Sequence, residues 1–254
     1  MTLLIAFHQS NYRTLKHFYE KHVCLYWSSE FPELVSYPRF VQLQQEVLML
    51  LTFYLQTRLE TCSGISFVDS TPLPVCDNRR ISKHRVFLAN AERGKTSMGW
   101  FYGFKLHLII NNVGELLSFV FTPANTDDRQ PLLKLVASDL FGNLYADRGY
   151  ISKDLRELLS KQGINLIYKV GKNMKPLSLS VADEVLVKKR VLIESVIKEL
   201  KTQTQLAHTP HRSLKNFQVN AIAALIAYQS LENKPSLNFS ELQEINDLPR
   251  TSNT

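Results

Sequence analysis

Residues 65–69, ISFVD, form a short apolar run of β type that ends in an aspartate. Residues 144–147, LYAD, repeat this pattern later in the chain. In open α/β sheets, functional sites lie at the carboxyl ends of the strands, where the loops diverge. Asp69 and Asp147 can therefore meet at one edge of a sheet. Either aspartate alone would more simply be a turn or helix-capping residue. The prediction of a functional site therefore depends on the pair.

The sequence around this pair predicts a mixed α/β fold. β-type runs bounded by turn residues predict strands at 65–69, 100–110, 115–121, 144–147 and 165–170. The turn signal Asn-Asn-Val-Gly at 111–114 joins the second and third strands as a hairpin. Helical spacing and caps predict helices at 132–140, 152–161, 181–202 and 214–231. The predicted fold is a mixed sheet of three antiparallel and then two parallel strands, flanked by helices.

The chain divides into three regions. Residues 1–60 contain no glycine and carry apolar residues at helical spacing, which predicts an N-terminal helical segment divided by Pro32 and Pro38. Residues 61–231 form the α/β domain, whose last helix is apolar nearly all round and should be buried. Residues 232–254 are polar and without a period, which predicts a flexible tail.

Composition narrows the class of protein. Hydrophobic residues make up 44% and charged residues 21% of the 254 residues, which excludes a disordered or fibrous chain. The 30 Lys and Arg against 23 Asp and Glu give a net charge of +7, which favours a polyanionic partner, although a basic surface also serves solubility. The longest apolar stretches, 47–55 and 221–228, are far shorter than the roughly 20 residues of a membrane span. The sequence thus predicts a cytoplasmic protein without a membrane partner.

A third carboxylate comes from the helix that follows. At about 100° per residue, Glu194 lies roughly 40° from Arg190 and roughly 20° from Lys201 on a helix surface, so the three share one stripe. The simpler interpretation is a surface helix with an Arg190–Glu194 ion pair worth about 0.3–0.5 kcal/mol.

Other polar residues favour local roles. Asp127 and Asp128 precede a predicted helix, which favours capping. His208 and His211 flank a turn at Pro210.

Several segments together resemble a known family. They are FHQSNYRTLKHFY (7–19), FVDSTPLPVC (67–76), RGKTSMGWFYGFKLHLIIN (93–111), LYADRGY (144–150) and Arg190-x3-Glu194-x6-Lys201. The last matches the signature Tyr-x2-Arg-x3-Glu-x6-Lys, except that Val187 replaces the tyrosine. From about residue 4 to 231 the chain resembles the DDE transposases of bacterial insertion sequences, most closely the family designated 982.

The resemblance implies an RNase H-like fold and a metal-dependent activity. Two Mg²⁺ ions, or Mn²⁺ as a substitute, would be held by Asp69, Asp147 and Glu194. The enzyme would cut phosphodiester bonds at insertion-sequence ends and then join the freed 3′-hydroxyl to target DNA. Its implied partner is double-stranded DNA, both terminal inverted repeats and target. By analogy it would act as a homodimer on two DNA ends, associated with the bacterial nucleoid.

Basic residues supply the predicted DNA contacts. By resemblance and by position, Arg190 and Lys201 would approach phosphates near the scissile bond. A backbone-contact segment is predicted at Arg79, Arg80, Lys83, Arg85, Arg93 and Lys95. The alternative for this segment is an ordinary solvated loop.

Two other functions stay open at the level of sequence. One is an RNase H-like nuclease without strand transfer. The other is an inactive DNA-binding remnant, because relatives usually begin with additional helical sequence and residues 1–60 could be a truncated end-recognition region.

Overall fold

The run that begins at Ile65 is the central strand of a six-stranded mixed sheet. The structure is a computed structural model that describes residues 1–97, 99–136, 139–169, 179–207 and 211–237. Its strands are β1 Ile65–Pro74, β2 Glu92–Thr96, β3 Gly99–Asn111, β4 Leu116–Pro123, β5 Gly142–Ala146 and β6 Ile164–Tyr168. β1, β3 and β4 pair antiparallel, whereas β5 and β6 continue the sheet beside β1 in parallel. The predicted mixed sheet is confirmed, and it is compatible with an RNase H-like fold.

Two features of the sheet differ from the prediction. β2 was not predicted, because its polar sequence ERGKT lacks an apolar face; it pairs with residues 99–103 of β3, next to β4 on the same edge. β1 also continues past Asp69 through Pro72 to Pro74. Only residues 65–67 of β1 pair with β5, so the later residues have a free edge on which prolines remove no ladder hydrogen bond.

Ten α-helices are described. They are α1 Thr2–Gln9, α2 Leu15–Phe18, α3 Cys24–Tyr26, α4 Tyr37–Leu43, α5 Leu48–Gln56, α6 Leu132–Leu135, α7 Lys153–Ser160, α8 Val181–Lys189, α9 Val191–Thr202 and α10 Leu214–Gln229. The N-terminal helices and the buried α10 are confirmed. Pro38 lies in the first turn of α4, where proline starts a helix. No described helix is both long and apolar enough to cross a bilayer.

Two predicted helices are corrected. The helix predicted at 132–140 ends after Leu135, because Val136 is extended. The helix predicted at 181–202 is divided at Arg190 into α8 and α9. α8 packs on β5 and β6, whereas α9 packs on β1. Outside the described residues lie Val170, His208, Pro210 and the tail from 238 to 254.

Helices cover both faces of the sheet. On one face, Phe67 and Tyr145 belong to the main hydrophobic core with residues of α9 and α10. On the other, Val68 and Leu144 pack in a second core with residues of α6 and α7. Since successive strand residues point to opposite faces, Asp69 follows Phe67 onto the face that α9 covers.

Both ends of the described chain pack against this domain. Leu4, Leu51 and Leu55 from the N-terminal helices are buried in the main core. Leu237 is buried there too, and its N–H donates to the carbonyl of Asn112 at 2.9 Å. The tail predicted from 232 is therefore packed on the β3–β4 hairpin over residues 232–237, because Leu237 supplies an apolar anchor.

Candidate active site

Asp69 and Asp147 lie on neighbouring parallel strands. Phe67 of β1 is the register partner of Tyr145 of β5, and the same register extended by two residues aligns Asp69 with Asp147. Adjacent strands are about 4.8 Å apart, which brings both aspartates to one edge of the sheet. Asp147 follows β5 directly and also caps the next 3-10 turn, since its carboxylate accepts the backbone N–H of Arg148 at 2.7 Å.

Arg190 connects Asp69 with Glu194. It stands at the junction of α8 and α9, and its Nη1 donates to Asp69 Oδ2 at 2.9 Å. Its Nη2 donates to Glu194 Oε1 at 2.7 Å. The side chains of Arg190 and Asp69 are 19% and 21% exposed, whereas Glu194 is half exposed. The ion pair that helical spacing allows therefore exists, but its arginine also binds a carboxylate from the central strand.

The charges of all three carboxylates act on Arg190. Burial lowers the pKa of Arg190, yet the negative charges of Asp69, Asp147 and Glu194 outweigh it and raise this pKa overall. Burial raises the pKa of Asp69, and the negative charge of Asp147 raises it further. Arg190 and the hydrogen bond from the Ser70 N–H lower this pKa, but by less. The negative charge of Asp69 is thus only partly compensated by Arg190.

Asp147, Arg190 and Glu194 line an open cleft of about 370 Å³, which we call the carboxylate cleft. Arg148, Lys169 and Lys188 also line it and supply positive charge around the acidic groups. Val187, at the position of the signature tyrosine, is another lining residue. A cleft lined by both carboxylates and cations suits a phosphate-bearing substrate.

The donor set fits a divalent cation in its chemistry. Three carboxylates offer the oxygen ligands that Mg²⁺ prefers, and one of them is buried with its charge undercompensated. Within the described ranges, no group of three or more His, Cys, Asp or Glu side chains is arranged to hold a metal ion. Arg190 instead bridges Asp69 and Glu194 and compensates part of their negative charge.

The model of a family described as a transposase DDE domain matches residues 59–214, more than half of the chain. The chain belongs to this transposase family. The match includes Asp69, Asp147 and Glu194 together with Arg190 and Lys201. No curated protein and no solved structure matched the chain.

The predicted DNA-contact residues of this transposase domain occupy different surroundings. Lys201 lies in the last turn of α9, where burial lowers its pKa. Arg79 forms an ion pair with Asp77 at 3.1 Å. All members of the predicted segment are exposed, namely Arg79, Arg80, Lys83, Arg85, Arg93 and Lys95.

The interpretation of Asp128 as a cap was wrong. Asp127 does act locally, accepting the N–H of Arg129 at 2.9 Å. Asp128 instead accepts Lys105 Nζ at 2.9 Å and the Ser70 hydroxyl at 3.1 Å. It therefore ties β1, beside Asp69, to β3. The signal in the sequence was the alternation of Lys105 with apolar residues along β3, which places a lysine on a covered face.

Proposed function

We propose that the chain is a bacterial insertion-sequence transposase with an RNase H-like catalytic domain, similar to the family designated 982. It cuts phosphodiester bonds at the ends of the element and joins the freed 3′-hydroxyl to target DNA. Its partner is double-stranded DNA, and it works as a homodimer on two ends in the bacterial cytoplasm. Membership of the transposase family and the carboxylate cleft support this proposal.

The contact between Arg190 and Asp69 carries the proposal. An exposed ion pair within one helix needs no partner from the sheet and contributes little to stability. Arg190 is instead four-fifths buried, binds carboxylates from β1 and α9, and interacts electrostatically with Asp147. Such convergence of three acidic groups around one largely buried arginine, with the pKa of Asp69 raised by burial, is typical of functional sites.

Asp69, Asp147 and Glu194 would hold Mg²⁺, or Mn²⁺ in its place. When bound, the ions activate the attacking hydroxyl and stabilise the leaving oxygen of an in-line displacement. The Arg190 guanidinium binds oxygens of Asp69 and Glu194 that would hold the ions, so Arg190 would have to give up at least one of these contacts for a metal to bind there.

The remaining residues of the cleft bind and orient DNA. Arg190, released from a carboxylate, reaches a phosphate near the scissile bond, and Lys201 follows it along α9. The other cations that line the cleft contact neighbouring phosphates without reading sequence. Cutting and joining are both phosphoryl transfers with similar charge development, so one cleft serves both.

Cleavage of DNA that carries the element's own end tests the proposal. With Mg²⁺ or Mn²⁺ the purified protein should cut this DNA. Asp69→Asn, Asp147→Asn and Glu194→Gln should each lower the rate roughly a thousandfold or more. Asp154→Asn, at an exposed carboxylate of α7, is the matched control and should cut normally. Undiminished cutting by the Asp69 variant would overturn the assignment.

A pre-cut substrate separates transposition from simple hydrolysis. A duplex ending in the recessed 3′-hydroxyl of the element should become joined to a target plasmid. Hydrolysis without any joined product would indicate a nuclease without strand transfer. Metal-independent binding without cutting would indicate an inactive DNA-binding remnant.

A further inference from the structure

A second open cavity borders the carboxylate cleft. It has a volume of about 480 Å³, and we call it the hairpin cavity because β2 and the start of β3 supply Arg93, Lys95 and Trp100 to its lining. Gly149 lines this cavity, whereas its neighbours Asp147 and Arg148 line the carboxylate cleft, so one short turn separates the two.

Trp100 presents an aromatic surface in this cavity. Its side chain is 60% exposed, although its backbone is held by Asn78, whose amide donates to the Trp100 carbonyl at 2.6 Å. Trp100 is the cross-strand partner of Lys95, whose ammonium lies 5.7 Å from the centre of the indole ring. A cation–π pair of this kind stabilises a hairpin, but it leaves most of the indole open to solvent.

The position of the hairpin is fixed by a close backbone approach between Gly94 and Ala124, which both line the hairpin cavity. A side chain at Gly94 would meet the carbonyl oxygen of Ala124 at 2.4 Å, so β2 lies directly against the segment after β4. Only glycine allows this approach. Arg93 and Lys95 flank Gly94 in β2 and line the same cavity.

The charge of the hairpin cavity favours a phosphate backbone. Asp128 is neutralised by Lys105 at 2.9 Å, and Asp127 is paired with Arg129. Arg93 and Lys95 form no ion pair with a residue in the described part of the chain. The acidic groups are thus compensated internally, and two cations remain beside an exposed ring.

We propose that the hairpin cavity binds an unpaired nucleotide of the DNA strand that enters the carboxylate cleft. Its base stacks on Trp100, and its flanking phosphates contact Arg93 and Lys95. Paired bases cover one another's faces within a duplex, so only an unstacked base offers its face to an indole. Aromatic rings beside cations bind single-stranded nucleic acid in this way, without sequence preference. This inference rests on the proposed function and adds a site for single-stranded DNA to it.

Tryptophan fluorescence tests the site directly, because the chain contains two tryptophans. In Trp27→Phe, Trp100 is the sole tryptophan, and excitation at about 295 nm avoids the ten tyrosines. This protein is titrated with a dye-labelled duplex carrying a short single-stranded extension, and separately with the blunt duplex. Anisotropy of the dye reports binding independently. Quenching of Trp100 by the extended duplex, and much less by the blunt duplex, is the expected result.

Substitution of Trp100 gives the second readout. Trp100→Ala should weaken binding of the extended duplex at least about fivefold and leave binding of the blunt duplex within about twofold. Trp100→Phe should restore most of the loss. Phe53→Ala, at an exposed aromatic residue of α5 outside the cavity, is the matched control and should bind both normally.

The outcomes separate the two proposals. Binding of both duplexes without any change in Trp100 emission, or equal quenching by both, overturns the site for an unpaired nucleotide and leaves the transposase proposal standing. Failure of the protein to bind either duplex overturns both.

Discussion

Asp69 bears a charge that its surroundings make costly. Burial raises its pKa above the ordinary value near 4 even though Arg190 donates to it. A carboxyl group with a raised pKa stabilises the fold below its ordinary pKa, and this contribution is lost as pH rises through the raised value. At neutral pH, therefore, a charged Asp69 does not stabilise the fold, as expected for the metal-binding role proposed for it.

Asp69→Asn should separate these two roles. At pH 7 we expect a free energy of unfolding equal to or above that of the wild type, because the neutral amide avoids the burial of a charge. Addition of Mg²⁺ should raise the melting temperature of the wild type but not of the variant, since ligands that bind only the folded state stabilise it. Urea denaturation and thermal melting measure the two effects. A loss above about 2 kcal/mol would instead make Asp69 a structural ion-pair partner.

His107 should make the protein sensitive to acid. It is fully buried on β3, and burial lowers its pKa to about 4, with Asp128 opposing and Lys105 adding to the shift. A histidine with a lowered pKa stabilises the fold fully above its ordinary pKa of 6.5, and that contribution is lost as pH falls toward 4. Between pH 7 and 5, His107 should account for a loss of about 2 kcal/mol.

His107→Gln measures this contribution. Urea denaturation at the two pH values should show about 2 kcal/mol less acid loss in the variant than in the wild type. His17→Gln, at an exposed histidine, should keep the wild-type loss. Identical pH dependence in the His107 variant would contradict the assignment.

Strands and hairpins of this fold follow from local sequence. Alternating apolar residues and the Asn-Asn-Val-Gly turn predict β3 and β4, and a capping Ser152 followed by Gly163 predicts α7. β2 could not be predicted, because a short polar edge strand is stabilised by its partner and not by its own pattern. The break at Arg190 likewise depends on which strands α8 and α9 pack against.

The candidate site was predictable to a similar extent. The aspartates at strand ends are local signals, whereas the contact of Arg190 with Asp69 joins residues 121 positions apart and no spacing rule reveals it. The resemblance to a known family supplied that grouping. Trp100 was overlooked because exposure of a tryptophan beside a cavity is a tertiary property.

Gly103 lies at the point of β3 where pairing with β2 stops and pairing with β4 starts, and this position requires glycine. Its φ is +154°, and an added Cβ would meet the carbonyl oxygen of Leu73 in β1 at 2.3 Å. Gly103→Ala should therefore destabilise the protein by roughly 2–4 kcal/mol in urea denaturation, since backbone must move. Gly149→Ala is the matched control, because its nearest new neighbour is 3.9 Å away, and it should unfold like the wild type. Equal stability of both variants would contradict the close strand approach.

The whole molecule carries a net charge of +7, and the exposed cations around 79–95 concentrate part of it. Replacing Arg80, Lys83 and Arg85 together by Gln should weaken DNA binding and reduce the slope of log affinity against log salt by about 2.7, if each contacts a phosphate. Gln at Lys153, Arg156 and Lys161, exposed cations in and just after α7, is the control and should leave the slope unchanged. An unchanged slope in the first variant would indicate that the segment is an ordinary solvated loop without phosphate contacts.

The central claim is that three carboxylates bring divalent cations to the scissile phosphate. Asp147→Cys tests it most directly, because a thiolate is a soft ligand that suits Mg²⁺ poorly and Mn²⁺ better. Cleavage of element-end DNA by this variant should be lost in Mg²⁺ and partly restored in Mn²⁺, with the wild type active in both. Wild-type rates of the variant in Mg²⁺ alone would contradict the claim.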